Sequence, residues 1–426
     1  MAGERIVQLR DVCGKIGSGA TPRGGKEAYK GGDTSLIRSQ NVYNEGFHRD
    51  GLVYIDDDQS AELRNVEVKE NDVLLNITGD SVARCCQVAA DVLPARVNQH
   101  VAIIRPEPKA LDARFLRYVL VSDEYQSQLL ALASAGATRP ALTKSMIEEL
   151  EVPLPPLAEQ KAIAAVLGAL DDKIELNRRM NATLEAMARA LFQSWFVDFD
   201  PVRAKLDGRP PAALDPATAS LFPEHLEDAP LDNIPKGWEV RSLDKTAHYL
   251  NGLALQKYPP GDGPTLPVIK IAQLRKGDSI GADRCNSDLP PNHIVQDGDV
   301  LFSWSGSLEV ELWCGGPGAL NQHLFRVTSP EFPRWFYYLW TLYHLDEFRL
   351  IAADKATTMG HIQRGHRTAA KVLIPPRPLL DGMTRTMSPL IDQLIANRIQ
   401  SRTLATLRDT LLPKLLSGEL SVTETH

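Results

Sequence analysis

Two identical tripeptides, Asn98-Gln99-His100 and Asn321-Gln322-His323, place two side-chain amides beside an imidazole. Asn and Gln are the side chains that pair bidentately with adenine in a duplex groove, so a nucleic-acid role is chemically open to both triplets. Surfaces that read different base sequences must differ from one another, however, and these two are the same. We therefore assign the triplets a structural role at the entry to a strand. Base and phosphate contacts are expected from loops rich in Arg, Lys, Gln, Asn, Ser and Thr that differ between the two halves of the chain. In the first half these are residues 18–26, with Ser18, Thr21, Arg23 and Lys26; residues 38–44, with Arg38, Gln40 and Asn41; and residues 78–84, with Thr78 and Arg84. In the second half they are residues 255–258, with Gln256 and Lys257; residues 270–276, with Lys270, Gln273 and Arg275; and residues 303–307, with Ser305. Arg139, in Gly136-Ala-Thr-Arg-Pro140, is a further candidate for guanine or phosphate, and its counterpart segment is Thr357-Thr-Met-Gly-His361.

Other groupings do not add up to catalysis. Leu289-Pro-Pro-Asn292 has the prolines of an adenine-methylase tetrapeptide but neither the preceding Asn or Asp nor the following aromatic. No G-x-x-x-x-G-K-[ST] phosphate loop is present, and Gly17-Ser18-Gly19 lacks a third glycine in register and reads as an ordinary turn. His361 and His366 have no third ligand at metal spacing. Asp198, Asp200 and Lys205 fall in a proline-rich stretch without strand patterning, so a nuclease centre there has no frame. The five cysteines, Cys13, Cys85, Cys86, Cys285 and Cys314, form no C-x-x-C pair and read as reduced, packed thiols of a cytoplasmic protein.

Composition narrows the class. The chain has 426 residues, 47 Lys+Arg against 54 Asp+Glu, and a net charge of -7. That balance excludes a protein that coats DNA by cation excess, so any DNA contact must rest on local patches or on partner subunits. No apolar run approaches the roughly 18 residues of a membrane span, and no hydrophobic stretch follows the N-terminus as a signal peptide requires.

The elements that must position the loops are set by an internal duplication. Shifted by 220 positions, Thr138 falls on Thr358, Val152 on Val372, Pro155-Pro156 on Pro375-Pro376, Asp172 on Asp392, Asn177-Arg178 on Asn397-Arg398 and Leu191 on Leu411. Upstream, residues 71–81 match 297–307, and the two Asn-Gln-His triplets match each other. A repeated unit of roughly 200 residues follows. Each unit begins as a mixed α/β region, with strands expected at 73–77, 101–104, 266–271 and 300–304 and a single helix at 111–132 and at 333–350. Each then changes period. Ile163, Leu167, Leu170, Ile174, Asn177, Asn181, Leu184, Ala188 and Leu191 step by four and three, as do Met383, Met387, Leu390, Leu394, Asn397, Ser401, Leu404, Arg408 and Leu411. Such a seam marks a coiled coil, and the matched Asn177 and Asn397 are expected to fix its register. Trp195 and Phe196, at the end of the first seam, are expected to pack the helix or dock a partner. The proline-rich stretch 201–235 reads as an extended connector of about 35 residues, long enough to let the two helices run antiparallel.

The ordered landmarks Val152-Pro-Leu-Pro-Pro-Leu-Ala-Glu-Gln160, Leu170-Asp-Asp-Lys-Ile-Glu-Leu-Asn177, Ala190-Leu-Phe-Gln-Ser-Trp-Phe-Val-Asp-Phe199, Ile234-Pro-Lys-Gly-Trp-Glu239 and Leu412-Pro-Lys-Leu-Leu-Ser-Gly-Glu-Leu420 resemble the specificity subunits of type I restriction-modification systems over essentially the whole chain. The second proline landmark, Ile374-Pro-Pro-Arg-Pro-Leu379, lacks the Glu-Gln of the family pattern. The resemblance implies an α+β protein with a first target-recognition domain at 1–155, a spacer helix at 156–200, the connector at 201–235, a second recognition domain at 236–376, and a second spacer helix with the tail at 377–426. It implies a non-catalytic subunit in which each recognition domain reads one half of a bipartite, asymmetric site in double-stranded DNA. The implied partners are two methyltransferase subunits, which use S-adenosylmethionine, and restriction subunits, which use ATP and magnesium. The competing reading is a self-contained DNA methylase or nuclease with fused recognition domains, and it lacks a catalytic constellation.

Overall fold

The computed structural model describes residues 5–22, 24, 29, 31–135, 140–212, 214–228, 233–354 and 361–422. The chain divides into two compact units, residues 1–172 with 404–426, and residues 173–403.

In the first unit, one four-stranded sheet runs in the order Cys13–Ser18, Val101–Pro106, Val73–Asn76, Cys85–Gln87, with every pair antiparallel. A second runs Val53–Ile55, Thr34–Ile37, Ala95–Val97, Glu67–Val68, and its middle pair is parallel. The second unit repeats this plan. Its sheets run His248–Asn251, Leu324–Thr328, Val300–Ser303, Val310–Leu312, and Arg284–Asn286, Thr265–Ile269, Gly318–Leu320, Ile294–Val295, again with a parallel middle pair. Central strands such as Val73–Asn76 and Val300–Ser303 are buried along their whole length, as their apolar runs require.

The helix expected at 111–132 is two helices, Ala113–Val121 and Asp123–Ser134, divided at Ser122. Ser122 takes extended dihedrals and its hydroxyl caps the second helix by accepting from Tyr125 N, a local bond that competes with helix continuation. The helix expected at 333–350 likewise divides into Arg334–Tyr343 and Leu345–Asp354.

Two helices of 40 residues, Leu157–Phe196 and Arg377–Leu416, carry the seams and begin at positions matched by the 220-residue repeat. Each follows a Pro-Pro pair, whose lack of donors suits the edge of a helix. The missing Glu-Gln in the second copy does not alter this start. Gln160 is fully buried and bonds Asp112 N, Ala110 O and Pro155 O, whereas its counterpart Leu380 fills the equivalent place with apolar volume.

Within residues 173–403 the two helices run antiparallel. The Asn177 amide donates to Gln400 Oε1 at 2.9 Å and Ser401 Oγ at 3.2 Å, and Asn397 Nδ2 donates to Asn181 Oδ1 at 2.9 Å. Within the first unit, Asp171 meets Arg408 at 2.7 Å, while Leu412 and Leu415 join the core with Ile163 and Leu167. Ion pairs bind each sheet region to its helix at repeat-matched positions, Arg114 to Asp172 and Arg334 to Asp392. Burial disfavours the Asp171 carboxylate, but Arg117, the Tyr118 hydroxyl and Arg408 outweigh it and hold the group below the usual carboxylate range.

Two expectations need correction. Residues 201–235 are not simply extended: they include the helices Asp200–Leu206 and Pro216–Leu221 and a strand pair, Leu226–Glu227 with Ile234–Pro235. Pro201 and Pro216 sit in the first helical turn, where a missing N–H costs nothing, and Asp215 caps Thr218 N at 3.0 Å. Of the two roles expected for Trp195 and Phe196, the packing role holds and the docking alternative does not. The side chains are 1% and 2% exposed, and Phe196 packs with Trp238, Trp335, Phe336 and Trp340 inside the core of the second unit.

The cysteines are free, and those at 85, 86, 285 and 314 are buried. Burial pushes the Cys86 thiol up to about 12 and Cys314 to about 11, so both remain protonated and unreactive.

Candidate nucleic-acid interface

The two Asn-Gln-His turns are built by the same bonds in both units. Asn98 Oδ1 accepts from His100 N at 3.1 Å, and Asn321 Oδ1 from His323 N at 3.2 Å. This Asx geometry lets an Asn close a tight turn on its own backbone. Around each turn the neighbouring strands attach identically. Gly19 N and Ala20 N donate to Val101 O and Val97 O, as Gly252 N and Leu253 N donate to Leu324 O and Leu320 O. Asn98 N donates to Ile37 O, and Asn321 N to Ile269 O. Ile77 N and Trp304 N donate to His100 O and His323 O, while Leu142 N and Ile362 N donate to Ile77 O and Trp304 O. The fit is close: a Cβ on Gly19 would lie 2.0 Å from Val97 O, and one on Gly252 2.2 Å from Asn321 O.

Each turn is therefore the point from which the candidate loops depart. Residues 18–26, 38–44 and 78–84 leave strands that meet at Asn98–His100, and their counterparts leave strands that meet at Asn321–His323. The strand registers also make Val73 the equivalent of Val300 and Thr78 the equivalent of Ser305, one residue from the gap-free match of 71–81 with 297–307. The intervening segments differ in sequence and in length. A shared frame with unlike loops is thus a property of the backbone as well as of the sequence.

The candidate residues divide by what they touch. Ser18, Gln40, Gln256, Lys257 and Arg275 are exposed. Arg38 reaches Gly51 O at 2.5 Å and lies 5.5 Å from the Tyr29 ring, and Arg84 lies 4.6 Å from the Tyr43 ring. Both guanidiniums are half-buried and braced at loop bases. Thr21 is half-buried, and its hydroxyl oxygen has no partner among the described residues. Lys270 is exposed and paired with Asp283, and Gln273 accepts from Lys270 N at 3.3 Å. Thr78 and Ser305 meet His100 and His323.

Asn41 is a correction. It is fully buried, donates to His48 O at 3.0 Å and Asp50 O at 3.2 Å, and accepts from Arg38 N at 3.0 Å, so its amide holds the loop and has nothing left for a base. Arg23, Lys26 and Arg139 lie outside the described residues, as do 357–360 of the counterpart segment. Sequence reasoning passed over Asn181, which completes the polar seam with Asn177 and Asn397; its place in the seam was the available signal. Among the described residues no group of three or more His, Cys, Asp or Glu could hold a metal, and no helix is long and apolar enough to cross a membrane.

Residues 3–186 match the family model described as the type I restriction modification DNA specificity domain. Over 98% of its length the chain is 36% identical to the putative type I restriction enzyme MjaX specificity subunit of Methanocaldococcus jannaschii, covering 93% of that protein. The chain belongs to the type I restriction enzyme specificity subunits. The MjaIX specificity subunit of the same organism is 28% identical, with 98% of this chain and 94% of that protein covered. In structure, the S subunit from M. genitalium shares the fold, with a TM-score of 0.56 at 15% identity and 97% of each chain covered. As a type I specificity subunit, the chain is a DNA-specificity component and not itself a catalyst, which disfavours the self-contained methylase or nuclease reading.

Proposed function

We propose that the two heads, residues 1–155 and 236–376, each read one half of a bipartite, asymmetric site in double-stranded DNA. The 40-residue helices set the spacer between the halves and dock two methyltransferase subunits, to which restriction subunits are added. S-adenosylmethionine, ATP and magnesium serve those partners; this chain contributes binding and no cofactor chemistry of its own.

The observation that carries the reading is the duplicated turn. One frame presents two different sets of exposed and half-buried polar side chains, as two unequal half-sites require. Ser18, Thr21, Arg38, Gln40 and Arg84 are the contacts proposed for the first head, and Gln256, Lys257, Lys270, Gln273 and Arg275 for the second. The net charge of -7 fits a division of labour in which partners neutralise most of the phosphate charge.

The test is a gel shift with the chain alone and with its methyltransferase partner. Sequence-specific retention that needs the partner supports the proposal. Equal retention of all duplexes, or none with the partner present, contradicts it.

A further inference from the structure

One polar relay is repeated in both heads and is used by nothing described so far. Gln99 Nε2 faces His100 Nε2 at 3.3 Å, and His100 Nδ1 lies 2.6 Å from Thr78 Oγ1. In the second head Gln322 Nε2 faces His323 Nε2 at 3.3 Å, and His323 Nδ1 lies 2.9 Å from Ser305 Oγ.

The donor assignment follows from the placement of the Gln amide nitrogens. With Gln99 Nε2 and Gln322 Nε2 facing the rings, the amide N–H donates and each histidine Nε2 accepts. A neutral imidazole with Nε2 as acceptor carries its proton on Nδ1. That proton is donated to the Thr78 or Ser305 oxygen, which leaves the hydroxyl's own proton to be donated elsewhere. The next residue in each head is a glycine in the left-handed region, Gly79 at φ 77° and Gly306 at φ 66°. Among the described residues, a Cβ on Gly79 would meet nothing within 4 Å, and one on Gly306 only the Ile271 side-chain tip at 3.7 Å. Thr78 is half-buried and Ser305 is 5% exposed, so an acceptor reaches either hydroxyl only past this positive-φ glycine, whose missing side chain lets it approach the backbone closely.

The two sites are alike while the loops around them differ, so their ligand must be the same in both half-sites. Base edges change with sequence, whereas the phosphodiester does not, and Ser and Thr hydroxyls are common donors to phosphate oxygens. We propose that Thr78 and Ser305 each donate a hydrogen bond to a DNA backbone phosphate, with Gln99–His100 and Gln322–His323 as positioning residues that fix the hydroxyl as a donor. This rests on the DNA-reading function above and adds sequence-independent anchors to it.

The experiment uses the chain assembled with its methyltransferase partner and measures anisotropy on a cognate and a scrambled duplex. Thr78→Val should weaken binding to both duplexes about tenfold, the scale of one bond to a charged acceptor, and leave their ratio unchanged. Thr78→Ser should restore binding, and Ser305→Ala should act as Thr78→Val does. Scanning the cognate duplex with single neutral methylphosphonates should reveal, among the positions that weaken the unaltered complex, one in the first half-site whose effect Thr78→Val removes and one in the second whose effect Ser305→Ala removes. His100→Ala should weaken both duplexes equally, beyond any change in melting temperature. Unchanged affinity for Thr78→Val, a loss confined to the cognate duplex, or persistence in Thr78→Val of every methylphosphonate effect seen in the unaltered complex would overturn the proposal. An unaltered complex with no preference for any duplex would overturn the DNA-reading function itself.

Discussion

Two asparagines in the helical seam differ in a way that alanine substitution should expose. Asn181 Oδ1 accepts from Asn397 Nδ2 at 2.9 Å, and Asn181 Nδ2 donates to Leu394 O at 3.3 Å. Asn181→Ala leaves the buried Asn397 amide without its acceptor, a penalty of about 1–3 kcal/mol. Asn177 is different: its Nδ2 has partners, but its buried Oδ1 has none among the described residues. Asn177→Ala loses two hydrogen bonds worth about 1 kcal/mol each and removes an unpaired acceptor costing about 1–3 kcal/mol, so the terms cancel to first order. The substitutions remove the same side-chain atoms, and the difference between them should be about 2 kcal/mol. Because 1 kcal/mol moves the midpoint of a region of this size by about 2–4 °C, Asn181→Ala should lower the calorimetric transition of residues 173–403 by about 4–8 °C. Asn177→Ala should lower it by less than about 2 °C. An equal or larger fall for Asn177→Ala would refute the hydrogen-bond accounting.

Asp171→Asn removes the charge that Arg117 and Arg408 share, and calorimetry should show the first unit destabilised by about 3 kcal/mol. The folded carboxyl is held below its ordinary value of about 3.9, so its stabilisation is complete above that pH and is lost as pH falls through the folded value. Unfolding midpoints of the unaltered chain should therefore drop more steeply below about pH 4 than those of Asp171→Asn, and parallel curves would contradict this. Gly19→Ala forces a methyl onto two backbone carbonyls and should cost about 1–3 kcal/mol, while Gly17→Ala, with open space at the same strand end, should be near neutral by urea unfolding. Gln160→Leu, which copies Leu380, should still destabilise by about 1–3 kcal/mol, because Asp112 N would lose its acceptor.

The long helices were legible because a four-three apolar rhythm is local and survives any surroundings. Their shared start was legible from the paired prolines. The strand cores were legible from short apolar runs, but their neighbours were not: the parallel pair Thr34–Ile37 with Ala95–Val97 joins segments far apart in sequence. Ser122 was hidden because its capping bond competes with a continuous amphipathic pattern, and the connector helices were hidden because proline at a first turn looks the same as proline in a loop. In the site, the triplets' structural role could be argued from their identity alone. That Asn41 is spent on its own loop, or that Thr78 faces His100, depends on contacts across 7 to 22 residues.

The central claim is that each head reads its own half-site on a common frame. Exchanging residues 236–376 for the second head of another type I specificity subunit, followed by methylation mapping of DNA modified by the assembled complex, tests it most directly. The account predicts that one half of the methylated sequence stays unchanged and the other takes the donor's bases. A site altered in both halves, or in neither, would contradict it.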